Sequence, residues 1–323
     1  MHKILQIKNL KVYFPVSSRL FNKSKFVKAV DDITFDVNDG EILGIVGESG
    51  CGKSSLAKAL IGLNDIHSGE VIFRDSQLLH GYNQSEWQCI YKDIQFIFQD
   101  PIAALDPRMT VLDIIMEPLL SYRADLTKKE KIALVIEMME KVGLSSTQIN
   151  RYPSEFSGGQ CQRIAIARAL ILKPKVLICD EAVSALDATI KAQIIKLLRG
   201  LQKDMSLTII FISHDLSVIR HICDRVLVMY LGNIMELADT KSLYSNPSHP
   251  YTKLLLRAVP VADPKLERNK KAEFLNGDLP SNINVPIGCV FNSRCNIADE
   301  NCKKTRPYLE SISGENKVAC FKT

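Results

Sequence analysis

Three short stretches carry residue types suited to phosphate chemistry. The first, GESGCGKSS, comprises Gly47, Glu48, Ser49, Gly50, Cys51, Gly52, Lys53, Ser54 and Ser55. Its glycines let the backbone curl tightly enough to turn successive N–H groups towards an anion. Lys53 adds a point charge, and Ser54 a hydroxyl that ligates a divalent cation. The helix expected next aims the positive end of its dipole at the same anion. The second stretch, VLICDE, is an apolar run ending in Asp180 and Glu181. The first carboxylate suits a hydrated metal ion; the next points elsewhere and suits orienting or deprotonating a water. The third, FSGGQ, sets Ser157 three residues before Gln160, the spacing of a capping box. Gly158 and Gly159 between them leave backbone amides uncovered. One chain therefore carries two places that grip a phosphate.

Such groups need strands that end in loops and helices that begin there. EILGIV precedes the first grip and SSLAKAL follows it, a strand–loop–helix order that supports the phosphate reading. The carboxylates close the strand KVLICDE, which is followed by a helix over ATIKAQIIKLLRGLQKD and a strand over LTIIFISHD. This alternation predicts a largely parallel sheet wrapped by helices, with ligands at the carboxyl edge of its strands. Residues 1–46 read as strands around a basic loop, SSRLFNKSKF, and a turn at Asn38-Asp39-Gly40. Residues 100–143 have helical spacing with prolines at the boundaries and read as a helical insert. RVLVMYLGNIMELA reads as a further buried stretch. Patterning weakens beyond Asp239, where prolines punctuate short pieces, and a domain boundary is expected near residue 240.

At 323 residues the chain is longer than one compact core usually holds, so a large domain with an appendage is expected. A net charge of +5 is mild, and dispersed lysines on solvated faces account for it. No apolar run approaches the ~18 residues that span a bilayer. The first residues alternate like a strand and lack the apolar core of a signal peptide. A cytoplasmic protein is expected; if it works at a membrane, another polypeptide does the spanning. Of nine cysteines, Cys289, Cys295, Cys302 and Cys320 crowd into the last segment. In a reducing compartment such clustering points to a metal or cluster rather than disulfides, and the absence of a C-x-x-C pair argues against a zinc ribbon.

The phosphate loop, FSGGQ, LICDE, SALD and FISHD, in that order, together resemble the ATP-binding-cassette ATPases. The resemblance implies a P-loop NTPase of α/β class: a RecA-like parallel core, an antiparallel β subdomain, and a helical subdomain at about 100–165. It implies ATP and Mg²⁺, with Ser54, Gln99 and Asp180 at the metal, Glu181 and the switch residue His214 catalytic, and Phe14 stacked on adenine, neighbouring Tyr13 being the alternative. Phe156, Ser157, Gly158, Gly159 and Gln160 stand for the signature motif, which closes over the nucleotide of a second subunit. Ser184, Ala185, Leu186 and Asp187 stand for the loop that crosses the dimer interface. The two grips would thus never share one ATP, and hydrolysis requires a head-to-tail pair.

Further stretches narrow the resemblance. FIFQDPIAALDPRMTV, NPSHPYTKLLLRAVP and GCVFNSRCNIADENCKKTRPYLE are similar to the oligopeptide and dipeptide permease ATPases, nearest the F-type subunit of oligopeptide permeases. That implies a cassette at 1–240 and a permease-type extension at 241–323. It implies ATP hydrolysis that energises oligopeptide import from the cytoplasmic face of the inner membrane, the alternatives being a dipeptide, nickel or cell-wall-peptide importer and a soluble cassette ATPase outside transport. The partners would be a D-type sister ATPase, two transmembrane permease subunits and, indirectly, a periplasmic or lipid-anchored binding protein, with no nucleic acid. Cys289, Cys295, Cys302 and Cys320 would hold a [4Fe-4S] cluster, with Zn²⁺ or plain thiols as alternatives. The sequence departs from the family at Ala182, where proline is usual after the catalytic carboxylate; this loosens the turn that holds Glu181.

Overall fold

The computed structural model describes residues 2–16, 25–74, 76–78, 82, 84–259 and 280–323. Most of the basic loop SSRLFNKSKF, with Pro260 and Pro264, lies outside the described residues. The strands are β1 (Lys3–Val16), β2 (Lys25–Asn38), β3 (Ile42–Val46), β4 (Ser68–Phe73), β5 (Ser76–Leu78), β6 (Ile94–Ile97), β7 (Val176–Asp180), β8 (Thr208–Ile212), β9 (Arg225–Tyr230), β10 (Asn233–Asp239), β11 (Glu310–Ser313) and β12 (Asn316–Val318). The helices that matter below are α1 (Lys53–Ala59), α2 (Gln84–Tyr91), α3 (Val111–Tyr122), α4 (Lys128–Lys141), α5 (Gly158–Leu170) and α6 (Ala188–Met205).

The chain divides into two units. The first comprises Met1–Asn38, Leu43–Gly81 and Ser213–Thr323. Long alternating β1 and β2 pair antiparallel, and β4 and β5 extend them in the order β2-β1-β4-β5. Leu5 and Ile7 of β1 are buried two apart, and so are Leu10 and Val12; the alternation changes phase between the two pairs, where Asn9 has positive φ and the pairing with β2 shifts register. β3 runs parallel to β9 with every residue from Ile42 to Val46 buried, the unbroken apolar run of a strand covered on both faces. RVLVMYLGNIMELA is not one stretch: β9 and β10 form a hairpin, turned at Leu231 and Gly232, both at positive φ. The C-terminal extension is stitched on by β12, which pairs antiparallel with β10 and with β11.

The second unit comprises Asp39–Ile42 and Tyr82–Ile212. Here β6, β7 and β8 are parallel, β7 in the middle and wholly buried. The insert begins α3 and α4 with full capping boxes, Thr110 with Asp113 and Thr127 with Glu130. Not every proline marks a boundary, since Pro118 sits inside α3. One proline forfeits a single ladder bond, and the buried face of Val111, Ile114, Ile115 and Leu119 keeps the helix docked. Among the described residues no helix is long and apolar enough to cross a membrane.

Candidate functional site

In the first unit β3 delivers the chain to Gly47, and the loop is moulded by its neighbours. A Cβ on Gly47 would lie 2.2 Å from the Met229 carbonyl oxygen of β9. One on Gly52, at φ +106°, would lie 2.0 Å from the Ala29 oxygen of β2. Both positions therefore exclude any side chain, on sterics alone. Lys53 is only 5% exposed, and its Nζ donates to the carbonyls of Gly47 and Glu48 at 2.9 and 3.0 Å. The curl thus holds its cation inside the ring of loop carbonyls. Cys51 is buried beneath it and burial raises its thiol pKa, so it is an inert packing residue. Ser54 and Ser55 follow in the first turn of α1, Ser54 half-buried as Ser55 is.

The same unit holds Phe14 and His214. Tyr13 is committed within the fold: its ring stacks on His67 at 4.6 Å and its hydroxyl donates to Asp31. Burial and that carboxylate push the phenol far above its ordinary pKa. Asp31 in turn takes Arg306 at 3.1 Å. Phe14, on the other face of β1, is exposed. His214 is exposed just after β8, beside a turn in which the Ser213 hydroxyl accepts the Asp215 N–H at 3.0 Å.

In the second unit β7 carries Asp180 to its buried end, and the chain then turns sharply at Glu181, whose φ is +50°. A non-glycine residue in the left-handed region is uncommon and is held here by its surroundings. The Glu181 N–H donates to the Ile212 carbonyl at 3.1 Å, and its own carbonyl accepts both the Ser184 N–H and hydroxyl at 3.0 and 2.9 Å. Gln99 donates from Nε2 to Glu181 Oε2 at 3.1 Å. The fold therefore brings Gln99 and Glu181 together and ties the Ser184–Asp187 loop to the same turn. Asp187 caps α6 through the N–H groups of Thr189 and Ile190.

The FSGGQ turn forms the capping box that its spacing predicts. Ser157 Oγ accepts the Gln160 N–H at 3.4 Å, and the Gln160 side chain accepts the Ser157 N–H at 3.0 Å. The two glycines differ. A Cβ on Gly159 would strike Ile190 of α6 at 2.5 Å, whereas one on Gly158 would meet nothing nearer than Leu186 at 3.9 Å. Packing requires the first; nothing inside the unit requires the second. Phe156 is half-buried and Ser157 exposed.

The four clustered cysteines line one cavity of about 10 Å³ with His249 and Phe291. Burial pushes the Cys289 thiol up to about 11 and raises those of Cys295 and Cys320. It also holds the His249 imidazole at about 4, neutral, with Nδ1 accepting the Tyr251 N–H at 3.0 Å. Among the described residues no three His, Cys, Asp or Glu side chains are arranged to hold a metal ion. The donor chemistry is that of a soft-metal site, but the spacing is closed.

Motif spacing singles out the loop, the two carboxylates and the FSGGQ turn, and the resemblance adds Phe14, Gln99, Asp187 and His214; neither points to His249 or to the extension's contacts on the loop. The Glu48 carboxylate pairs with Arg294 at 3.0 Å. Nothing local signals a partner 246 residues away, apart from the carboxylate's own need for one.

The ABC transporter family model matches residues 30–184, and that of the oligopeptide/dipeptide transporter C-terminal region matches residues 235–302. The oligopeptide transport ATP-binding protein OppF of Haemophilus influenzae is 54% identical over 99% of this chain and 97% of its own. OppF of Escherichia coli is 53% identical over 99% and 96%. The dipeptide transport ATP-binding protein DppF of Haemophilus influenzae is 46% identical over 98% and 96%. Among solved structures, a dimeric ATP-binding cassette in a post-hydrolysis state bound to ADP and Pi matches with a TM-score of 0.65 and 27% identity, over 73% of this chain and 98% of that one. With its parallel ladders, antiparallel subdomain and helical insert, the chain has the cassette fold. It belongs to the ABC transporter ATP-binding proteins, in the branch that carries the oligopeptide/dipeptide transporter C-terminal region.

Proposed function

We propose that this chain is the ATP-hydrolysing subunit of an importer of oligopeptides, acting as one half of a head-to-tail pair of cassettes. The observation that carries the reading is the likeness to oligopeptide transport ATP-binding proteins through cassette and extension alike. One dipeptide relative is 46% identical, as are two relatives with oligopeptide names.

In this reading Gly47–Ser55 binds the triphosphate and Lys53 exchanges loop carbonyls for phosphate oxygens. Phe14 receives the adenine, since Tyr13 is already engaged. A loop that excludes side chains at Gly47 and Gly52 fits an anion cradle, and the hydroxyl, amide and carboxylate of Ser54, Gln99 and Asp180 are hard oxygen donors that suit Mg²⁺. The ion would neutralise charge on the phosphates when bound. Glu181 accepts a proton from the attacking water. Water oxygen bonds to the γ-phosphorus as the bond to the bridging oxygen breaks, and ADP leaves with the electron pair. Gln99, bonded to Glu181, fixes the carboxylate's direction, and His214 serves the γ-phosphate. Ser157 and Gly158 take the nucleotide of the opposing subunit, with Asp187 at the crossing.

The partners are two transmembrane permease subunits and a D-type sister ATPase, and this chain would sit on them peripherally at the inner-membrane face. Ile102 and Leu120, exposed apolar residues around the insert, suit docking on such subunits. Cys289, Cys295, Cys302 and Cys320 are proposed to hold a [4Fe-4S] cluster. A cavity of about 10 Å³ is too small for the cluster, and no three of the described ligands are arranged for a metal ion, so the four cysteines would have to rearrange for either group. Iron, sulfide and zinc content of anaerobically purified chain decides between them.

The test is Glu181→Gln. It should bind Mg-ATP as the wild type does and lose roughly 10²–10⁴ in turnover, the usual worth of a general base. Trapped with ATP in detergent-solubilised membranes, it should recover a second cassette and two polytopic proteins. Near-normal hydrolysis would remove Glu181 from its role, and recovery of ribosomes or nucleic acid without membrane protein would remove the transport reading.

A further inference from the structure

Among the described residues, the C-terminal extension reaches the phosphate loop with three side chains, all within the first unit. Arg294 Nη1 spans both carboxylate oxygens of Glu48, at 3.0 and 3.2 Å. Asn282 donates its side-chain amide to the Gly50 carbonyl at 3.0 Å, while its own backbone carbonyl accepts the Lys28 N–H of β2 at 3.1 Å. The Tyr251 hydroxyl, on a fully buried side chain, accepts the Glu48 N–H at 3.0 Å. Loop and extension are thus joined at a carboxylate, a carbonyl and an amide within three residues.

The charge of Glu48 makes this arrangement necessary. A carboxylate one residue after the first glycine of the loop stands beside the place proposed for a polyphosphate. The Arg294 and Glu48 side chains are only 6% and 16% exposed, so solvent and salt screen them weakly. Left unpaired there, the carboxylate would repel phosphates through a low effective dielectric. Arg294 cancels it, and the Tyr230 ring, 5.7 Å from the guanidinium carbon, fixes where the guanidinium lies.

We propose that Arg294 is a positioning residue of the nucleotide site: it neutralises Glu48 and, with Asn282 and Tyr251, holds the loop curled for ATP. The extension is then a working part of the ATP site. This rests on the reading of Gly47–Ser55 as the nucleotide loop.

The experiment uses the full chain and measures Mg-ATP, ADP and AMP affinity by calorimetric titration, with KM and kcat for ATP. Arg294→Met, which keeps length and loses charge, should weaken ATP binding about tenfold and raise KM in step, with kcat within about twofold. The loss should shrink from ATP to ADP to AMP, because it grows with ligand charge. The double variant Glu48→Gln/Arg294→Met should recover most of it. Asn282→Ala should cost severalfold in affinity. An unchanged KM in Arg294→Met, or a loss equal for all three nucleotides and not relieved by Glu48→Gln, overturns the proposal. Should Arg294→Met not fold, unchanged affinity in Asn282→Ala overturns it instead. Lys53→Ala separates the layers. If it binds ATP as well as the wild type, the nucleotide reading of the loop itself falls; if it alone loses binding, only the role of Arg294 does.

Discussion

The loop at Gly47–Ser55 and the turn at Phe156–Gln160 both set small residues ahead of a helix, yet they are held in different ways. The loop is enclosed: backbone oxygens of β2 and β9 press on Gly52 and Gly47, Lys53 is folded into its carbonyls, and the extension grips it from outside. The turn is held from one side only, by its own capping box and by Ile190 against Gly159. Gly158 is only half-buried, and a Cβ there would just touch Leu186. An enclosed site completes its geometry within one chain. An open one leaves the backbone accessible to something the chain does not supply, which is what a signature motif working on another subunit's nucleotide needs.

Four substitutions or conditions would break or sharpen this contrast. The largest effect is expected at Gly52→Ala, which combines an unfavourable positive φ with overlap on a backbone oxygen that cannot give way. It should lower stability by about 3–5 kcal/mol, read from the denaturant midpoint, or prevent folding. Acid comes next and should act on the loop's side alone. Burial holds the folded pKa of His249 at about 4, below its ordinary 6.5, so the unfolded chain binds the extra proton between these values. The stability this confers is complete above about pH 6.5 and is lost as pH falls towards 4, by up to about 3 kcal/mol. Hydrogen exchange should show the extension around Tyr251 loosening over that range while α5 keeps its protection. Gly159→Ala should cost about 1–2 kcal/mol, because the group it meets is a side-chain methyl that can shift. Gly158→Ala should change stability by no more than about 0.5 kcal/mol. If the open face serves a second subunit, this mildest of folding changes still lowers ATPase activity at least tenfold. Normal turnover in Gly158→Ala would end the contrast.

Much of the fold and of the site is legible in the order of the amino acids. The capping box at Ser157 and Gln160, the strand into Gly47 and the wholly buried strand into Asp180 follow from local spacing, because hydrogen bonds three residues apart and side-chain alternation are written into neighbouring positions. Pro118 and the Leu231–Gly232 turn are less legible, since a long buried face overrides one proline and two adjacent apolar strands look like one. The resemblance singles out Gln99 and spacing singles out Glu181, but the bond between them, across 82 residues, is given by neither. Arg294 on Glu48 follows from neither.

By itself the sequence determined the chemistry available here: a glycine-rich loop with its lysine, two carboxylates at a strand end, a capped small-residue turn and four clustered thiols. Each depends on residues adjacent in the chain, whose covalent spacing fixes their geometry. Tertiary structure decided which of those groups are enclosed and which stay open. It turned Tyr13 inward to Asp31 and left Phe14 exposed. It made Gly159 a packing residue and left Gly158 with room for a Cβ. It brought a distant arginine to a loop carboxylate. Burial and steric exclusion depend on what packs from elsewhere in the chain, and no local pattern carries that information.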